Sequence, residues 1–441
     1  MDRRLFGTDG VRGPVGSLLT DDLAYALGRA AITHAGGAGS RLLVIRDTRE
    51  SGPMLELALA EGAAAAGAVV QLGGVLPTPA APLLIRAGEY DLAAVISASH
   101  NPFEDNGIKL FGAGGYKLSD ADEEAIEALL PAAPDRSAGG TPGTVAARAG
   151  LGDRYVAALL QRYSGLSLSG RRIALDCANG ATYEVAAAVF SALGADVTTI
   201  AVSPDGRNIN AECGSTHPGL LIETVRGGGF DAGFAFDGDG DRLLAVGADG
   251  TVVDGDEVLA LTACALHEQG TLTGDGIAVT VMSNYGLHRA MEAAGITVAV
   301  TAVGDRHVLA ELRQRGWRLG GEQSGHIIDM AFVPSGDGIA SALLLLEALD
   351  GGVLGVERGM ERLPQVLVNV PVVDRDAVLG DAVITDAVQD VTEQLTGRGR
   401  VLVRPSGTEQ LLRVMVEAPS DEEADALCAE LAQLIQARHG V

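Results

Sequence analysis

The apolar and polar positions of the chain follow one plan in three places. In "RLLVIRDTRESGPMLELALAEGAAAAGAVVQLG" (41–73) a β-branched run gives way to a polar break. An Ala-rich helical stretch follows, then Gly67, then a second apolar run. "RRIALDCANGATYEVAAAVFSALGADVTTI" (171–200) repeats this with Gly194, and "GIAVTVMSNYGLHRAMEAAGITVAV" (276–300) repeats it with Gly295. Each pattern predicts strand, helix, helix-stopping glycine and strand, which is a βαβ unit on a mostly parallel, helix-covered sheet. The similar junctions "AGAVV", "LGADV" and "AGITV" point modestly to duplication. Beyond about Arg362 the pattern changes to strand-like "QVLVNVPVV", "GRVLVRPSG" and "QLLRVMVEAPS", followed by the helical tail "DEEADALCAELAQLIQARHG". The Pro- and Gly-rich "PAAPDRSAGGTPGTVAARAG" (131–150) reads as a linker or long surface loop.

The fold class expected is therefore α/β. Three related α/β domains with mixed, mostly parallel sheets span 1–150, 151–252 and 253–364, and a smaller α+β domain spans 365–441, all around a central cleft. A length of 441 residues requires several cores. Aromatic content is only 4%, so those cores must be built from Ala, Val, Leu and Ile. The formal net charge of −26 argues against nucleic acid or an anionic membrane as the main partner. An anionic small substrate then needs basic residues gathered locally. The cysteines Cys177, Cys213, Cys264 and Cys428 form no C-x-x-C pair, and scattered reduced thiols of a cytoplasmic protein are expected. "MDRRLFGTDG" has no apolar signal core, and no run of about 18 apolar residues predicts a membrane span.

Four polar stretches interrupt the pattern. "VISASHNPFEDNGIKLFG" (95–112) begins as a buried strand and turns polar at once, with Ser97, Ser99, His100, Asn101, Asp105, Asn106 and Lys109. Its strand delivers Ser99 to the C-terminal edge of a sheet, where α/β proteins bind ligands. A serine hydrolase is disfavoured, because no G-x-S-x-G surrounds Ser97 or Ser99 and "GEQSG" has the wrong spacing. In "FAFDGDGDRLLAV" the residues Asp237, Asp239 and Asp241 alternate with glycines, so an extended chain puts three carboxylates on one side. Their repulsion calls for a divalent cation, and oxygen-only ligands favour Mg²⁺ or Ca²⁺ over zinc. An EF-hand fails, with Arg242 at its sixth position and Ala248 at its twelfth. "VRPSGTEQLLRV" pairs a hydroxyl-rich turn with Arg404 and Arg413, a grouping suited to a phosphate monoester. In "GGEQSGHII", Glu322, Ser324 and His326 alternate in a loop able to hydrogen-bond sugar hydroxyls. "FGTDGVRG" adds Arg12 between glycines, and no Walker A motif occurs.

Together these stretches resemble the α-D-phosphohexomutases over the whole chain and in family order. "SASHNP" is similar to the phosphoserine loop, "DGDGDR" to the metal loop, "GEQSGH" to the sugar loop and "RPSGTE" to the phosphate loop. "FGTDGVRG" and Gln323 favour the glucosamine branch over the phosphomannomutase and phosphoglucomutase branches. The resemblance implies interconversion of glucosamine 6-phosphate and glucosamine 1-phosphate through a phosphoserine and a 1,6-bisphosphate, on the route to UDP-N-acetylglucosamine. It implies a catalytic set of Ser99, Lys109, Arg12 and His100, in which Ser99 carries the phosphoryl group, Ser97 is only its neighbour and Lys109 is the acid/base. One Mg²⁺ is expected on Asp237, Asp239, Asp241 and the phosphoserine oxygen, with glucosamine or glucose 1,6-bisphosphate as activator. Arg242 joins Arg12 in stabilising phosphate, Glu322, Ser324 and His326 hold the sugar, and Arg404, Ser406, Gly407, Thr408 and Arg413 hold the non-reacting phosphate. The partner expected is the hexosamine phosphate, with a homodimer left open. The chain departs from the family at "VPSGDG" (Val333 to Gly338), where Thr-Thr-Gly-Asp-Gly is frequent, and at His307, where an aromatic residue is usual.

Overall fold

The computed structural model describes residues 5–7, 9–130, 136, 142–350, 354, 359–406 and 410–441. Its sheets divide between two compact units, one of residues 1–282 and 296–358 and one of residues 283–295 and 359–441.

The first unit holds three sheets. The first has the order Val11–Pro14, Asp105–Phe111, Leu92–Ile96, Arg41–Arg46, Val69–Val75, Thr144–Ala147. Its last four strands are parallel, and Asp105–Phe111 and Val11–Pro14 join antiparallel. Thr144–Ala147 lies in the segment expected to be only a loop: four exposed residues extend the sheet by pairing with Val69–Val75. Main-chain hydrogen bonding along an open edge makes that strand, which no apolar alternation announces. The second sheet runs Val252–Val253, Leu243–Gly247, Ala232–Phe236, Arg172–Asp176, Asp196–Ile200, and the third runs Thr297–Thr301, Gly276–Thr280, Leu319–Gly321, Ile327–Asp329.

The three sheets share a device. In each, a strand in a parallel pair is followed at once by an antiparallel partner: Leu92–Ile96 by Asp105–Phe111, Ala232–Phe236 by Leu243–Gly247, and Leu319–Gly321 by Ile327–Asp329. The connecting loops are the Ser99, Asp237 and Glu322 stretches. They sit where the parallel run stops and the strand's C-terminal end is no longer covered by a crossover helix.

Small residues make the first domain's core possible. Helices Asp21–His34 and Gly52–Ala65 cross so closely that a Cβ on Gly28 would lie 2.1 Å from the Leu59 carbonyl oxygen. One on Gly62 would lie 1.9 Å from that of Tyr25. Thr20 caps the first of these helices by accepting from Leu23 N at 3.1 Å, with Asp21 and Asp22 in the opening turn.

The second unit carries an antiparallel sheet, Gln365–Pro371, Leu411–Glu417, Arg400–Pro405, whose apolar face packs on helices Ala382–Gln394 and Asp421–His439. Helix Tyr285–Ala293 belongs to this unit although it is the crossover of the third βαβ pattern. Asn284 exchanges hydrogen bonds of 3.0 Å with the main chain of Leu363, and Glu417 accepts from Tyr285 N at 2.7 Å. No helix among the described residues is long and apolar enough to cross a membrane.

One buried group ties the stability of the first unit to pH. Asp337 caps helix Gly338–Ala348, accepting from Ala340 N at 2.9 Å, and also takes hydrogen bonds of 2.8 and 2.9 Å from the buried Tyr155 hydroxyl. Burial, outweighing those bonds, raises its carboxyl from 3.8 to about 6. The folded value lies above the unfolded one, so this group's stabilisation is full below about pH 4 and is lost as pH rises through 6. Asn at this position keeps the cap but does not titrate. Urea unfolding should therefore show Asp337→Asn gaining about 2 kcal/mol on the wild type between pH 4 and pH 7.

Candidate active site

The tri-aspartate loop is a turn, which corrects the expectation of alternation along an extended strand. Strand Ala232–Phe236 ends before Asp237, and residues 238–240 turn, with Gly240 at φ +72°. A strand would only set the carboxylates in a row, whereas the turn folds them toward one point. One oxygen from each of Asp237, Asp239 and Asp241 lies within 4.8 Å of the others, and all three residues are buried.

Cations and hydrogen bonds compensate part of that charge. Lys109 Nζ donates to Asp239 Oδ2 at 2.8 Å and to Asp241 Oδ2 at 3.2 Å, and lies 3.0 Å from Asp9 Oδ2. Burial alone would lower the Lys109 ammonium, but the charges of Asp239, Asp241 and Asp9 hold it well above its ordinary value. Thr78 Oγ1 donates to Asp239 Oδ2 at 2.7 Å, and Arg242 N donates to Asp237 Oδ1 at 3.1 Å. Burial, with Asp241 and Asp239 beside it, pushes the Asp237 carboxyl well above the usual range. The Oδ1 atoms of Asp239 and Asp241 are buried and have no hydrogen-bond partner among the described residues. An all-oxygen set with unsatisfied buried carboxylate atoms fits a hard divalent cation.

The first sheet brings Ser99 to this cluster. Ser99 is buried and its φ is +53°, a sparsely populated value for a residue with a Cβ. Its Oγ donates to Asp237 Oδ2. His100 Nδ1 lies 3.5 Å from Ser99 Oγ. Burial, then the charges of Arg242 and Arg12, lowers His100 to about 4, so this ring is neutral and makes only a long contact with the serine. Ser97, as a neighbour, accepts from Ser99 N at 2.9 Å and donates to Asp47 Oδ2 at 2.6 Å.

Arg12 lies opposite Gly107 in the register of the first sheet and pairs with Asp9 at 2.5 Å. Arg242 Nε is buried, 3.9 Å from Asp241 Oδ1. The sugar-loop residues meet different surroundings. Ser324 is exposed, and Glu322 accepts from Gly304 N at 3.1 Å. His326 is buried, and Gly336 N donates to its Nε2 at 3.0 Å. In the neutral ring the proton therefore belongs on Nδ1, which faces Asp241 Oδ1 at 3.6 Å; burial opposes a charge on this ring, but Asp241 and Asp305, the latter 3.5 Å from Nε2, raise it above its ordinary value. The unusual "VPSGDG" stretch thus supplies Gly336 to His326 and Asp337 to a helix cap. His307 is exposed near the start of helix Asp305–Arg315.

In the second unit, Arg404 and Arg413 are direct cross-strand partners, so their side chains leave the same face of the sheet. Burial and the Arg413 charge lower the Arg404 guanidinium. Ser406 N donates to Leu411 O at 3.0 Å, and Arg375 donates to the Ser406 carbonyl. Gly407 and Thr408 lie outside the described residues.

Several residues at these sites were absent from the sequence-based set: Asp9, Arg49, Thr78, Lys117, Asn210, Asp305 and Arg375. Lys117 bridges Asp9 and Asp305 at 2.5 Å to each. Asp9 lay within the polar stretch "FGTDGVRG", and for Arg49 the local signal was polarity at the end of a strand, in "RDTRES" from Arg46 onward.

A buried serine at the end of a strand in one sheet thus meets a buried tri-aspartate turn at the end of a strand in another, each at the switch from parallel to antiparallel pairing. Four sequence families match in order: phosphoglucomutase/phosphomannomutase alpha/beta/alpha domain I over residues 3–136, domain II over 153–250, domain III over 254–366 and the C-terminal domain over 367–434. The chain belongs to the phosphoglucomutase/phosphomannomutase family, the α-D-phosphohexomutases. Within that family it is 49% identical over 436 residues to the phosphoglucosamine mutase of Moorella thermoacetica, covering 97% of this chain and 98% of that protein. It is 48% identical over 454 residues to the phosphoglucosamine mutase of Nocardia farcinica, covering 98% and 99%. A solved phosphoglucomutase/phosphomannomutase family protein of Burkholderia thailandensis superposes with a TM-score of 0.82 at 26% identity, covering 98% of this chain and 97% of that one.

Removing one carboxylate separates the two demands on the loop. Asp237→Asn keeps a group of the same shape beside Ser99 and relieves repulsion in the ion-free protein. Thermal unfolding in a chelator should show the variant at least as stable as the wild type. Calorimetric titration should show affinity for Mg²⁺ weakened about tenfold or more, since ligand charge sets the strength of such sites.

Proposed function

We propose that this chain interconverts glucosamine 6-phosphate and glucosamine 1-phosphate, with Ser99 as the carrier of the phosphoryl group. The observation that carries the reading is the Ser99 hydroxyl aimed at Asp237 within a buried tri-aspartate turn, with Lys109 paired to the other two aspartates. The near-half identity to phosphoglucosamine mutases over essentially the full length supports the choice of sugar.

Phosphorylated Ser99 gives its phosphoryl group to a hydroxyl of the sugar phosphate. The bond from phosphorus to the serine oxygen breaks, the bond to the sugar oxygen forms, and the product is a 1,6-bisphosphate. Return of its other phosphoryl group to Ser99 completes the isomerisation. A hexose 1,6-bisphosphate added in trace amounts serves to phosphorylate a bare Ser99. In each transfer the attacking hydroxyl loses a proton and the departing oxygen gains one; Lys109, bonded to Asp239 and Asp241, is the group assigned to relay it, giving its proton to the departing oxygen and taking one from the attacking hydroxyl. Arg12 and Arg242 offset charge on the phosphoryl oxygens. Asp237, Asp239, Asp241 and an oxygen of phosphorylated Ser99 would hold Mg²⁺, which when bound neutralises that charge further. Glu322, Ser324 and His326 recognise the sugar. Arg404, Ser406 and Arg413, with Gly407 and Thr408 that follow Ser406 in sequence, hold the phosphate that does not react. Arg375 adds a cation beside that turn through its bond to Ser406.

The test is incubation of glucosamine 6-phosphate with Mg²⁺ and trace glucose 1,6-bisphosphate. The isomer should accumulate without inorganic phosphate, and glucosamine phosphates should show a higher kcat/KM than glucose or mannose phosphates. Ser99→Ala should be inactive and carry no phosphate by peptide mass spectrometry. Release of free phosphate in place of the isomer would make the protein a phosphatase instead.

The cross-strand arginines give a separate expectation. Like charges directly opposite destabilise a sheet, and an anion between them relieves the cost. Arg404→Ala should raise KM equally for both isomers, losing about 1.5–3 kcal/mol in kcat/KM, while phosphorylation of Ser99 persists. Unequal effects on the two isomers would show that Arg404 senses the sugar.

A further inference from the structure

The backbone of the Ser99 loop is gripped from two sides by groups outside it. Arg49, fully buried, pairs with the equally buried Asp47 at 2.8 Å. Its Nη2 donates to the carbonyls of Ser99 at 2.9 Å and Asn101 at 2.8 Å, and its Nη1 donates to those of Asp105 at 3.0 Å and Pro102. Asn210 reaches the same loop from the chain of the second sheet's domain. Its Nδ2 donates to Ser99 O at 2.9 Å and Asn101 O at 3.2 Å. Two carbonyls thus each take an N–H from both residues. Carbonyl oxygens only accept, so the amide of Asn210 has one workable orientation.

The metal loop lies against this grip. A Cβ on Gly238 would come within 2.6 Å of Ser99 O and 2.8 Å of Asn210 Nδ2. Asn210 itself has φ +58° and is anchored by its N–H to Ala178 O at 2.9 Å. The left-handed turn at Ser99 is a state that persists only when the surroundings over-determine it, and these donors do so. They act on the serine's main chain, whose conformation sets where its Oγ points.

We propose that Arg49 and Asn210 are positioning residues that lock Ser99 in its left-handed turn, holding its Oγ toward the three aspartates for phosphoryl transfer. This rests on the reading of Ser99 as phosphoryl carrier. Neither residue touches the transferring group. Each acts through the carbonyls of Ser99 and Asn101, and Asn210 links the carrier loop to the domain that bears the aspartates. A displacement of the reacting oxygen of about 1 Å costs on the order of 10²-fold in rate, while substrate held by other residues binds as before.

Two substitutions separate this role from simple packing. Asp and Gly both tolerate φ near +58°, so Asn210→Asp keeps the shape without the donor and Asn210→Gly keeps the backbone without the side chain. The full-length variants are assayed with glucosamine 6-phosphate, Mg²⁺ and glucose 1,6-bisphosphate beside Ser99→Ala. Both should lose on the order of 10²-fold in kcat with KM unchanged, whereas a packing role would leave Asn210→Asp at wild-type kcat. Arg49→Lys keeps the charge beside Asp47 but cannot fork onto four carbonyls, so it should show the same kcat-only loss, and it decides the matter if the Asn210 variants do not fold. Wild-type kcat in Asn210→Asp or Asn210→Gly, with Ser99→Ala inactive, overturns the lock and leaves the proposed function standing. An active Ser99→Ala overturns both.

Discussion

Three carboxylates buried within 4.8 Å of one another are the constraint on which the rest of the first unit depends. Charges of one sign at that spacing, away from water, repel strongly enough to oppose folding unless opposite charge comes with them. The turn that holds them supplies backbone N–H groups but no cation of its own apart from Arg242. Lys109 must come from a strand of another sheet, and it arrives with Asp9 beside it. The first and second domains are therefore joined by an electrostatic requirement at the tri-aspartate turn.

That requirement explains the form of the sheets. An antiparallel strand directly after a parallel one returns the chain through a short loop, so a polar cluster can sit at the strand's end without a crossover helix over it. The device appears in all three α/β domains, and in the first it also places Lys109, on the return strand Asp105–Phe111, behind Ser99. The close crossing of helices at Gly28 and Gly62 lets an aromatic-poor chain fill the core beneath.

The chain's net charge is −26, and a few of its cations, Lys109 and Lys117 among them, are held against carboxylates. Arg404 and Arg413 stand opposite each other on neighbouring strands. Asp237 likewise lies among like charges, its carboxyl held well above the usual range by burial and its acidic neighbours.

Much of this was legible along the chain. Apolar periodicity and helix-stopping glycines specified the βαβ units, because strand and helix formation respond to neighbours a few residues apart. The sequence of Asp237, Asp239 and Asp241 announced a cluster of three carboxylates, a grouping consistent with a divalent cation, because residues two apart in one loop stay close. What stayed hidden involved partners distant in sequence. Arg49 reads as one polar residue after a strand, and its importance lies in four carbonyls about fifty residues further on. Asn210 and Lys117 meet their partners across separations of 111 and 188 residues. The edge strand Thr144–Ala147 exists only because another edge was open to pair with it. Local pattern dictates which elements form and where polar chemistry is concentrated. Which donor meets which acceptor depends on how separately folding segments dock, and no short-range regularity of the chain encodes that.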